Sequence, residues 1–376
     1  MRSATTPGWI GGDLTGVPER RPGDRRHVLH HRRPVALRDL IFFVTSRCNF
    51  RCRTCFYASV MDHSLRDGVP ELTYDEIAGV ASSIGPLRTL LLSGGEPFLR
   101  DDLARVCETF AQRCAVRGVH LPTNGSDPER VEALTSDILK RCPDTRVTVA
   151  VSLDGLRETH DRIKRFAGAF DRAVETIRRL ARVRDGFPAL ELSVISVVSD
   201  ANVHEAEELC AYVRRELPVN SHGPSPLRGQ PADAGLSPPS AAAWNDLWPR
   251  LMPYHAYWNA RTAVGTLRRT VATNRIRYLY RSYGRILAGF PLPFRCQAGR
   301  AVGVLEADGG VRLCELTEVV GNVRDAGLDF PVVWRSDSAE RARSNTGTCA
   351  CTHACFLLPS IAANPLSRIG SCLCFR

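Results

Sequence analysis

The chain lacks the features that would place it in a membrane. It has no apolar run approaching the roughly 20 residues that a helix needs to cross a bilayer. No basic segment followed by an apolar one opens the sequence, so a secretory signal is not evident. No internal repeat is evident either. We therefore expect a soluble, cytoplasmic protein without a transmembrane segment.

Lysine is nearly absent as well. Lys140 and Lys164 are the two lysines among the 50 basic residues, and all the others are arginines. The formal net charge of +10 invites a nucleic-acid ligand. A bias this strong toward arginine reflects a GC-rich genome more than a function, so nucleic acid is not an expected partner.

Cysteine, in contrast, is abundant. The chain has 14 cysteines, and the cytosol keeps thiols reduced, so metal chemistry is favoured over disulfides. Four of them lie in segments with helical spacing and are expected to be buried and inert: Cys107, Cys114, Cys142 and Cys210. The other ten form two groups, one near residue 50 and one after residue 295.

The first group is Cys48, Cys52 and Cys55, in the spacing C-x3-C-x2-C. Three thiolates on a short loop suit one face of a cubane iron–sulfur cluster and leave the fourth iron open for a substrate. A closed zinc site would need a fourth Cys or His at a similarly short spacing. His63 and Cys107 are the only such residues between positions 56 and 110, and neither has that spacing. A redox pair on Cys52 and Cys55 would leave Cys48 unexplained. An iron–sulfur cluster is therefore the preferred interpretation.

Strand-like and helix-like segments alternate after this loop. The predicted strands are Ile41–Thr45, Thr89–Leu92, 118–122, 146–153, 190–198 and 218–222. The predicted helices are Tyr74–Ile84, Asp101–Cys114, Pro128–Arg141, Phe170–Val183 and Val203–Leu217. Six β/α units predict a parallel sheet or partial barrel, with ligands at the carboxyl ends of the strands.

The second predicted strand ends in Gly94-Gly95-Glu96-Pro97. A three-cysteine loop together with this segment resembles the radical S-adenosylmethionine (SAM) superfamily. The resemblance implies an α/β fold: a partial (β/α)6 TIM-like barrel with a helical insertion and a small C-terminal Cys-rich domain. It also implies a [4Fe-4S] cluster on Cys48, Cys52 and Cys55, with SAM bound at the open iron and an electron donor such as flavodoxin or ferredoxin.

Further SAM contacts are implied at the ends of other strands. The resemblance implies that Glu96 and nearby backbone groups receive the methionine ammonium. The implied SAM-binding residues are Gly94, Gly95, Glu96, Pro97, Asn124, Ser152, Asp154 and Arg228. Read alone, Thr123-Asn124-Gly125 is also a good turn, and Ser152 and Asp154 could cap a helix. Two positions depart from the family: Thr54 stands where an aromatic residue often precedes the third cysteine, and Arg165 stands where glycine is frequent.

The second cysteine group lies at the carboxyl end: Cys296, Cys314, Cys349, Cys351, Cys355, Cys372 and Cys374. It resembles the SPASM and twitch extensions, which hold auxiliary iron–sulfur clusters. A hairpin is predicted around Asp308-Gly309, between Arg300–Glu306 and Gly310–Cys314.

The resemblance implies one auxiliary [4Fe-4S] cluster on Cys296, Cys314 and two of Cys349, Cys351 and Cys355. A second cluster would need Cys372 or Cys374 in addition. Zinc on Cys349, Cys351, His353 and Cys355 is the open alternative. For His353 itself, a helix-capping or surface role is preferred over ligation.

Four regions are predicted: an Arg/Pro/Gly-rich arm (1–36), the core barrel (37–235), a helical insertion (236–292) and the SPASM/twitch-like region (293–376). The insertion carries interleaved arginines and tyrosines: Arg261, Arg268, Arg269, Arg275, Arg277, Arg281, Arg285, Tyr278, Tyr280 and Tyr283. Such a face could hold an anionic substrate, a peptide, a lipid headgroup or RNA. A solvated face on a helix packed against the barrel is the preferred interpretation.

Taken with the resemblance, these observations favour an enzyme that cleaves SAM reductively to a 5'-deoxyadenosyl radical, which then abstracts hydrogen from a small or specialised metabolite. A ribosomal-peptide maturase of the same superfamily is the first alternative. A non-enzymatic zinc- or cluster-containing nucleic-acid-binding protein is the second. The reaction outcome does not follow from the sequence.

Overall fold

The computed structural model describes residues 36–61, 68–292, 294–345, 351–365 and 367. The chain divides into the units Met1–Val35 and Ala36–Arg376, and the described residues all belong to the second. The predicted arm apart from Ala36, the candidate ligand Cys349, and Cys372 and Cys374, which a second cluster would need, lie outside the described residues.

Nine strands form one sheet. They are β1 (Asp39–Thr45), β2 (Thr89–Gly94), β3 (Gly118–Thr123), β4 (Arg146–Ser152), β5 (Leu190–Val198), β6 (Ser221–Pro226), β7 (Val302–Leu305), β8 (Gly310–Arg312) and β9 (Val319–Asn322). Their order is β6-β5-β4-β3-β2-β1-β7-β8-β9. Strands β1 to β6 run parallel, β7 continues parallel beside β1, and β8 and β9 are antiparallel.

Eight helices connect the parallel strands, and three more follow β9 within the described residues. They are α1 (Tyr74–Ser83), α2 (Leu103–Cys114), α3 (Pro128–Arg141), α4 (Arg157–Lys164), α5 (Ala169–Gly186), α6 (Ala206–Glu216), α7 (Ala241–Thr262), α8 (Thr266–Leu287), α9 (Phe330–Trp334), α10 (Asp337–Asn345) and α11 (Ala354–Ala363). Local signals explain several starts. Thr73 and Glu76 form a capping box before α1, and Asp127 caps α3 ahead of Pro128. The predicted mixed α/β fold with a parallel barrel sheet and a carboxyl-terminal antiparallel region is confirmed.

The two faces of the sheet differ in burial. In β4, Val147, Val149 and Val151 are buried, whereas Thr148 and Ala150 on the other face are half-buried. Strand β5 alternates in the same way. Strand β1 is buried at every position because it lies near the middle of the sheet and is covered on both sides. The other face of both strands is therefore only half-buried.

The predicted sixth strand was misplaced. We predicted it near residues 218–222, but it spans Ser221–Pro226 and contains Pro224 and Pro226. Two prolines argue against a central strand, since proline cannot donate a ladder hydrogen bond. The structure resolves the conflict because β6 is the edge strand of the sheet.

The helical insertion is a pair of helices, α7 and α8, joined by a short turn. Its core is aromatic, with Trp244, Tyr280 and Tyr283 fully buried, and it packs on residues of α6 and α11. Arg268 and Arg281 are exposed. The two helices therefore pack on the barrel and expose part of their arginines, and the role of this basic face stays a prediction. Nowhere in the described part of the chain is a helix both long and apolar enough to cross a membrane.

Candidate active site

The three-cysteine loop leaves the carboxyl end of β1. Its backbone is fixed from two sides: Arg53 N donates to Ile163 O at the end of α4 (2.8 Å), and Ala232 N donates to Cys55 O (2.9 Å). Phe50 stacks on Phe166 with ring centroids 4.7 Å apart. The thiols of Cys48, Cys52 and Cys55 are free and half-buried, whereas the four cysteines predicted to be inert are buried, as expected.

The loop touches the end of β2 through two glycines. Gly95 N donates to Thr45 O (2.8 Å), and Glu96 N donates to Arg47 O (2.8 Å). Gly94 has φ of +117°, which side chains rarely adopt. A Cβ atom on Gly95 would lie 2.0 Å from Arg47 O. The glycines therefore let the end of β2 pair closely with the backbone of the cysteine loop.

Glu96 is buried and its carboxylate points to the end of β3. It accepts hydrogen bonds from Thr123 Oγ1 (2.8 Å), Asn124 N (2.7 Å) and Phe98 N (3.2 Å). Burial raises the pKa of Glu96 to about 7 even against these donors. Asn124 in turn donates to Asn49 Oδ1 (2.8 Å) in the cysteine loop. A cation beside this carboxylate would be favoured, because burial leaves its charge incompletely compensated.

The end of β4 carries a buried ion pair. Lys164 Nζ lies 2.8 Å from Asp154 Oδ2, and both side chains are almost fully buried. Asp154 N donates to His160 Nδ1 (3.0 Å). The ammonium of Lys164 lowers the pKa values of Cys52 and Cys55, partly offsetting the rise caused by burial. The predicted contact Ser152 is the half-buried last residue of β4.

Arg228 follows β6 and reaches toward the second cysteine group. It lies 3.3 Å from Glu315 Oε2 and its guanidinium stands 4.6 Å from the centroid of the Phe56 ring. Glu315 Oε2 also lies 3.3 Å from His353 Nδ1. His353 is buried, so the expected surface role is wrong. It is the N-cap residue of α11, as expected, and caps the helix through its backbone carbonyl, because its side chain makes no capping hydrogen bond.

The second cysteine group lies beside the first. Cys296 and Cys314 belong to one apolar cluster with Ile41, Phe43 and Tyr57, and Cys355 packs against it. Cys48 and Cys55 line the same cluster. Cys351 is also buried. The predicted hairpin that carries Cys314 is confirmed as β7 and β8, with φ of +91° at Gly309 in its turn.

Among the residues that the structure describes, no three His, Cys, Asp or Glu side chains are grouped as one metal ion would require. The ligands of a cubane, in contrast, bind separate iron atoms. For the zinc alternative, Cys349 lies outside the described residues and His353 faces Glu315.

Comparison with known proteins agrees with this geometry. Residues 42–213 match the family model of the radical SAM superfamily. This part of the chain, residues 42–213, is a radical SAM domain. The chain is 34% identical over 140 residues to Fe-coproporphyrin III synthase of Methanosarcina barkeri, covering 36% of this chain and 32% of that protein. It is 33% identical over 183 residues to GTP 3',8-cyclase of Acidothermus cellulolyticus, covering 47% and 48%.

Solved radical SAM structures share the fold. SuiB of Streptococcus suis aligns with a TM-score of 0.53 at 15% identity, covering 82% of this chain and 68% of its own. The anSMEcpe structure with bound AdoMet aligns with a TM-score of 0.56 at 16% identity, covering 89% and 88%. These identities establish the architecture alone. The chain spans about a third to a half of the length of the first curated relatives it matches.

The radical SAM family implies a [4Fe-4S] cluster and SAM, and the residues present fit both. Three half-buried thiols project from one short loop without disulfides, beside a buried lysine. Burial raises the pKa of Cys48 to about 12, so metal binding there would release a proton. Gly94, Gly95 and the buried Glu96 follow at the end of β2, and their backbone is hydrogen-bonded to this loop.

Sequence reasoning missed several residues that shape the site. Glu71 accepts from Thr45 Oγ1 and Ser46 N, both at 2.8 Å, and so anchors the start of the cysteine loop. Glu306 accepts from Tyr57 Oη (2.7 Å) and pairs with Arg312 (2.6 Å). Lys164 was noted only as one of the two lysines of the chain, although its isolation among arginines was a usable signal of a special role.

Proposed function

We propose that this radical SAM enzyme cleaves SAM reductively at a [4Fe-4S] cluster and uses the 5'-deoxyadenosyl radical to abstract hydrogen from a small or specialised metabolite. When bound, the cluster would supply the electron and an open iron for SAM. The observation that carries the proposal is the contact between the cysteine loop and Gly94-Gly95-Glu96.

In this proposal Cys48, Cys52 and Cys55 hold the cluster. The loop is rigid because α4 and the segment near Ala232 both bind its backbone. Burial raises the pKa of Cys52, and the nearby ammonium of Lys164 offsets part of that rise. The half-buried thiols remain reachable by an electron donor of the flavodoxin or ferredoxin type.

SAM would lie across the carboxyl ends of β2, β3 and β4. The carboxylate of Glu96 attracts a methionine ammonium nearby, because burial has left its charge undercompensated. Asn124 and Ser152 stand at the next two strand ends. Arg228 has a different role in this proposal: its ion pair with Glu315 joins the barrel to the second cysteine group, and its stacking on Phe56 reaches the first.

An auxiliary [4Fe-4S] cluster is proposed on Cys296, Cys314 and two of Cys349, Cys351 and Cys355. Three of these side chains share one apolar cluster. Cys351 is also buried. Cys296 and Cys314 with two of the three later cysteines would make a full set of four thiolate ligands.

A small-molecule substrate is favoured by the sequence relatives, whose names denote a GTP cyclase and porphyrin or heme synthases. The peptide alternative stays in play because the fold is shared with anSMEcpe bound to a peptide. Incubation with SAM, reductant and a metabolite extract should consume a small molecule. Modification of a short peptide encoded beside this gene, with no small molecule consumed, would contradict the substrate assignment.

Cys52→Ala tests the cluster assignment. Loss of one of three ligands should abolish 5'-deoxyadenosine formation and lower the iron bound after anaerobic reconstitution. Cys107→Ala is the matched control, because Cys107 is a buried cysteine of α2 with no proposed ligand role. It should retain full iron content and SAM cleavage. Unchanged 5'-deoxyadenosine formation by Cys52→Ala would reject the assignment.

A further inference from the structure

A cavity of about 450 Å³ opens at the edge of the sheet opposite the cysteines. It is lined by the last turns of α5, α6 and α7 and by the segment from Leu217 to Asn220, which leads into β6. The cysteine loop follows the carboxyl end of β1, and β6 runs parallel to it within the sheet. The length of a six-residue strand, roughly 20 Å, therefore separates this cavity from the candidate active site along the strand direction.

Three arginines, one from each helix end, face this cavity: Arg184, Arg214 and Arg261. The guanidinium carbons of Arg214 and Arg261 lie 4.7 and 5.4 Å from the centroid of the Tyr257 ring. Arg184 donates to Pro218 O (2.9 Å) and to Asn220 Oδ1 (3.1 Å). The three cations are thus held toward one space by an aromatic ring and a backbone loop.

Carboxylates are missing from this group. None of the residues that line the cavity is Asp or Glu, and none of the three arginines forms an ion pair within the described part of the chain. By contrast Arg179, on the same helix as Arg184, pairs with Glu129, Glu132 and Glu175. The sequence has no acidic residue between Asp246 and Glu306. The carboxyl ends of the three helices each carry about half a negative charge, which offsets part of the charge of the three arginines. An excess of roughly one to two positive charges remains.

We propose that this arginine cavity, defined by Arg184, Arg214 and Arg261, binds a phosphate-bearing anion of the pyrophosphate class. Guanidinium groups bind phosphate oxygens through paired hydrogen bonds, and a pyrophosphate carries enough charge to serve three of them. The volume lies within the range of small-molecule sites. The site is separate from SAM cleavage and does not depend on it.

Calorimetric titration of the full chain with inorganic pyrophosphate tests the proposal. Arg214→Ala and Arg261→Ala should each weaken binding about tenfold, as expected for loss of a charge-assisted contact. Arg250→Ala is the matched control. It removes the same charge from α7, but Arg250 is already paired with Asp246 (3.0 Å) and Glu207 (3.4 Å), so binding should change less than about twofold. Far-ultraviolet circular dichroism confirms that each variant is folded.

Three ligand arms define the chemistry. ATP should bind as pyrophosphate does, adenosine should not bind, and citrate, with similar charge but no phosphate, should bind at least about tenfold more weakly. Equal binding of citrate would overturn the phosphate assignment. Absence of pyrophosphate binding, or equal losses of affinity in Arg250→Ala and Arg261→Ala, would overturn the site. The arginines would then only balance the partial negative charge of the helix ends. Binding measured on protein without iron separates this result from any failure of SAM cleavage.

Discussion

Individual residues at the junction of β1 and β2 decide how closely the cysteine loop is held. Gly94 and Gly95 occupy positions where a Cβ atom would meet the oxygens of Thr45 and Arg47 at 2.2 and 2.0 Å. The resemblance placed both glycines among the implied SAM-binding residues. The structure adds that the cysteine loop's own backbone is the nearest neighbour.

Gly95→Ala should therefore loosen the cysteine loop. The new methyl group would displace Arg47 and break the Glu96 N to Arg47 O hydrogen bond, costing about 2 kcal/mol of unfolding free energy. Iron content after reconstitution should fall as well. Gly186→Ala is the control, since a Cβ there has open space around it. The measurements are a thermal melt and an iron assay. Equal melting temperatures and equal iron contents for the two variants would contradict this account.

The two lysines of the chain offer a second test at this scale. Lys164→Met leaves the buried Asp154 carboxylate without its partner and should cost about 3 kcal/mol in urea unfolding of the iron-free protein. Lys140→Met, at an exposed position of α3, should change stability by less than about 0.5 kcal/mol. Adding Asp154→Asn to Lys164→Met should recover much of the loss. No recovery would show that the ion pair is not the cause.

At the scale of elements, hydrophobic periodicity and capping signals were enough to predict most of the barrel. Pro128–Arg141 was predicted to the residue, and five of the six parallel strands lie where expected. The failures have a common reason. Strand β6 contains two prolines, and β9 is four residues long and half-exposed, so neither is recognisable apart from the strand that pairs with it.

Arg324 shows how distant elements are joined. It follows β9, yet it donates to Glu76 in the first turn of α1 at 2.6 Å and to the carbonyls of Pro70 and Glu71. This bond holds the pKa of Glu76 at about 2, well below its ordinary value. Because the folded-state pKa is depressed, the stabilisation is present above about pH 4.5 and is lost as pH falls toward 2.

Arg324→Ala should remove that link. We expect a loss of about 2 kcal/mol at pH 7, and a smaller decline in stability between about pH 5 and 2 than the parent chain shows, since Glu76 then titrates ordinarily. Arg341→Ala is the control, because Arg341 is exposed and bonded only to Ser338 among the described residues. Parallel pH profiles for Arg324→Ala and the parent would contradict the assigned role. The measurement is chemical denaturation across this pH range.

At the scale of the whole molecule, the parallel pairing of β7 with β1 brings the two cysteine groups together. Ile41 lies opposite Val304 in this pairing, although more than half of the chain separates them. Spacing alone could identify each group but not their contact, because a long-range strand pair leaves no local signal. The ion pair of Arg228 with Glu315 was likewise invisible in sequence. The individual ligand assignments stay predictions.

Cys314→Ala tests whether the two groups serve different clusters. It should lower the bound iron by about half and abolish product formation, while 5'-deoxyadenosine still forms without coupling to product. Cys52→Ala should instead abolish 5'-deoxyadenosine formation. Identical losses of iron and of SAM cleavage in both variants would merge the two proposed sites into one.

The most direct test of the central claim is a 5'-deoxyadenosine assay on the anaerobically reconstituted full chain, with SAM and dithionite, after iron and sulfide have been counted. The account predicts about eight irons per chain, matching two cubanes, an electron paramagnetic resonance signal perturbed by SAM, and 5'-deoxyadenosine as a product. Bound zinc, no iron after reconstitution and no 5'-deoxyadenosine would contradict it.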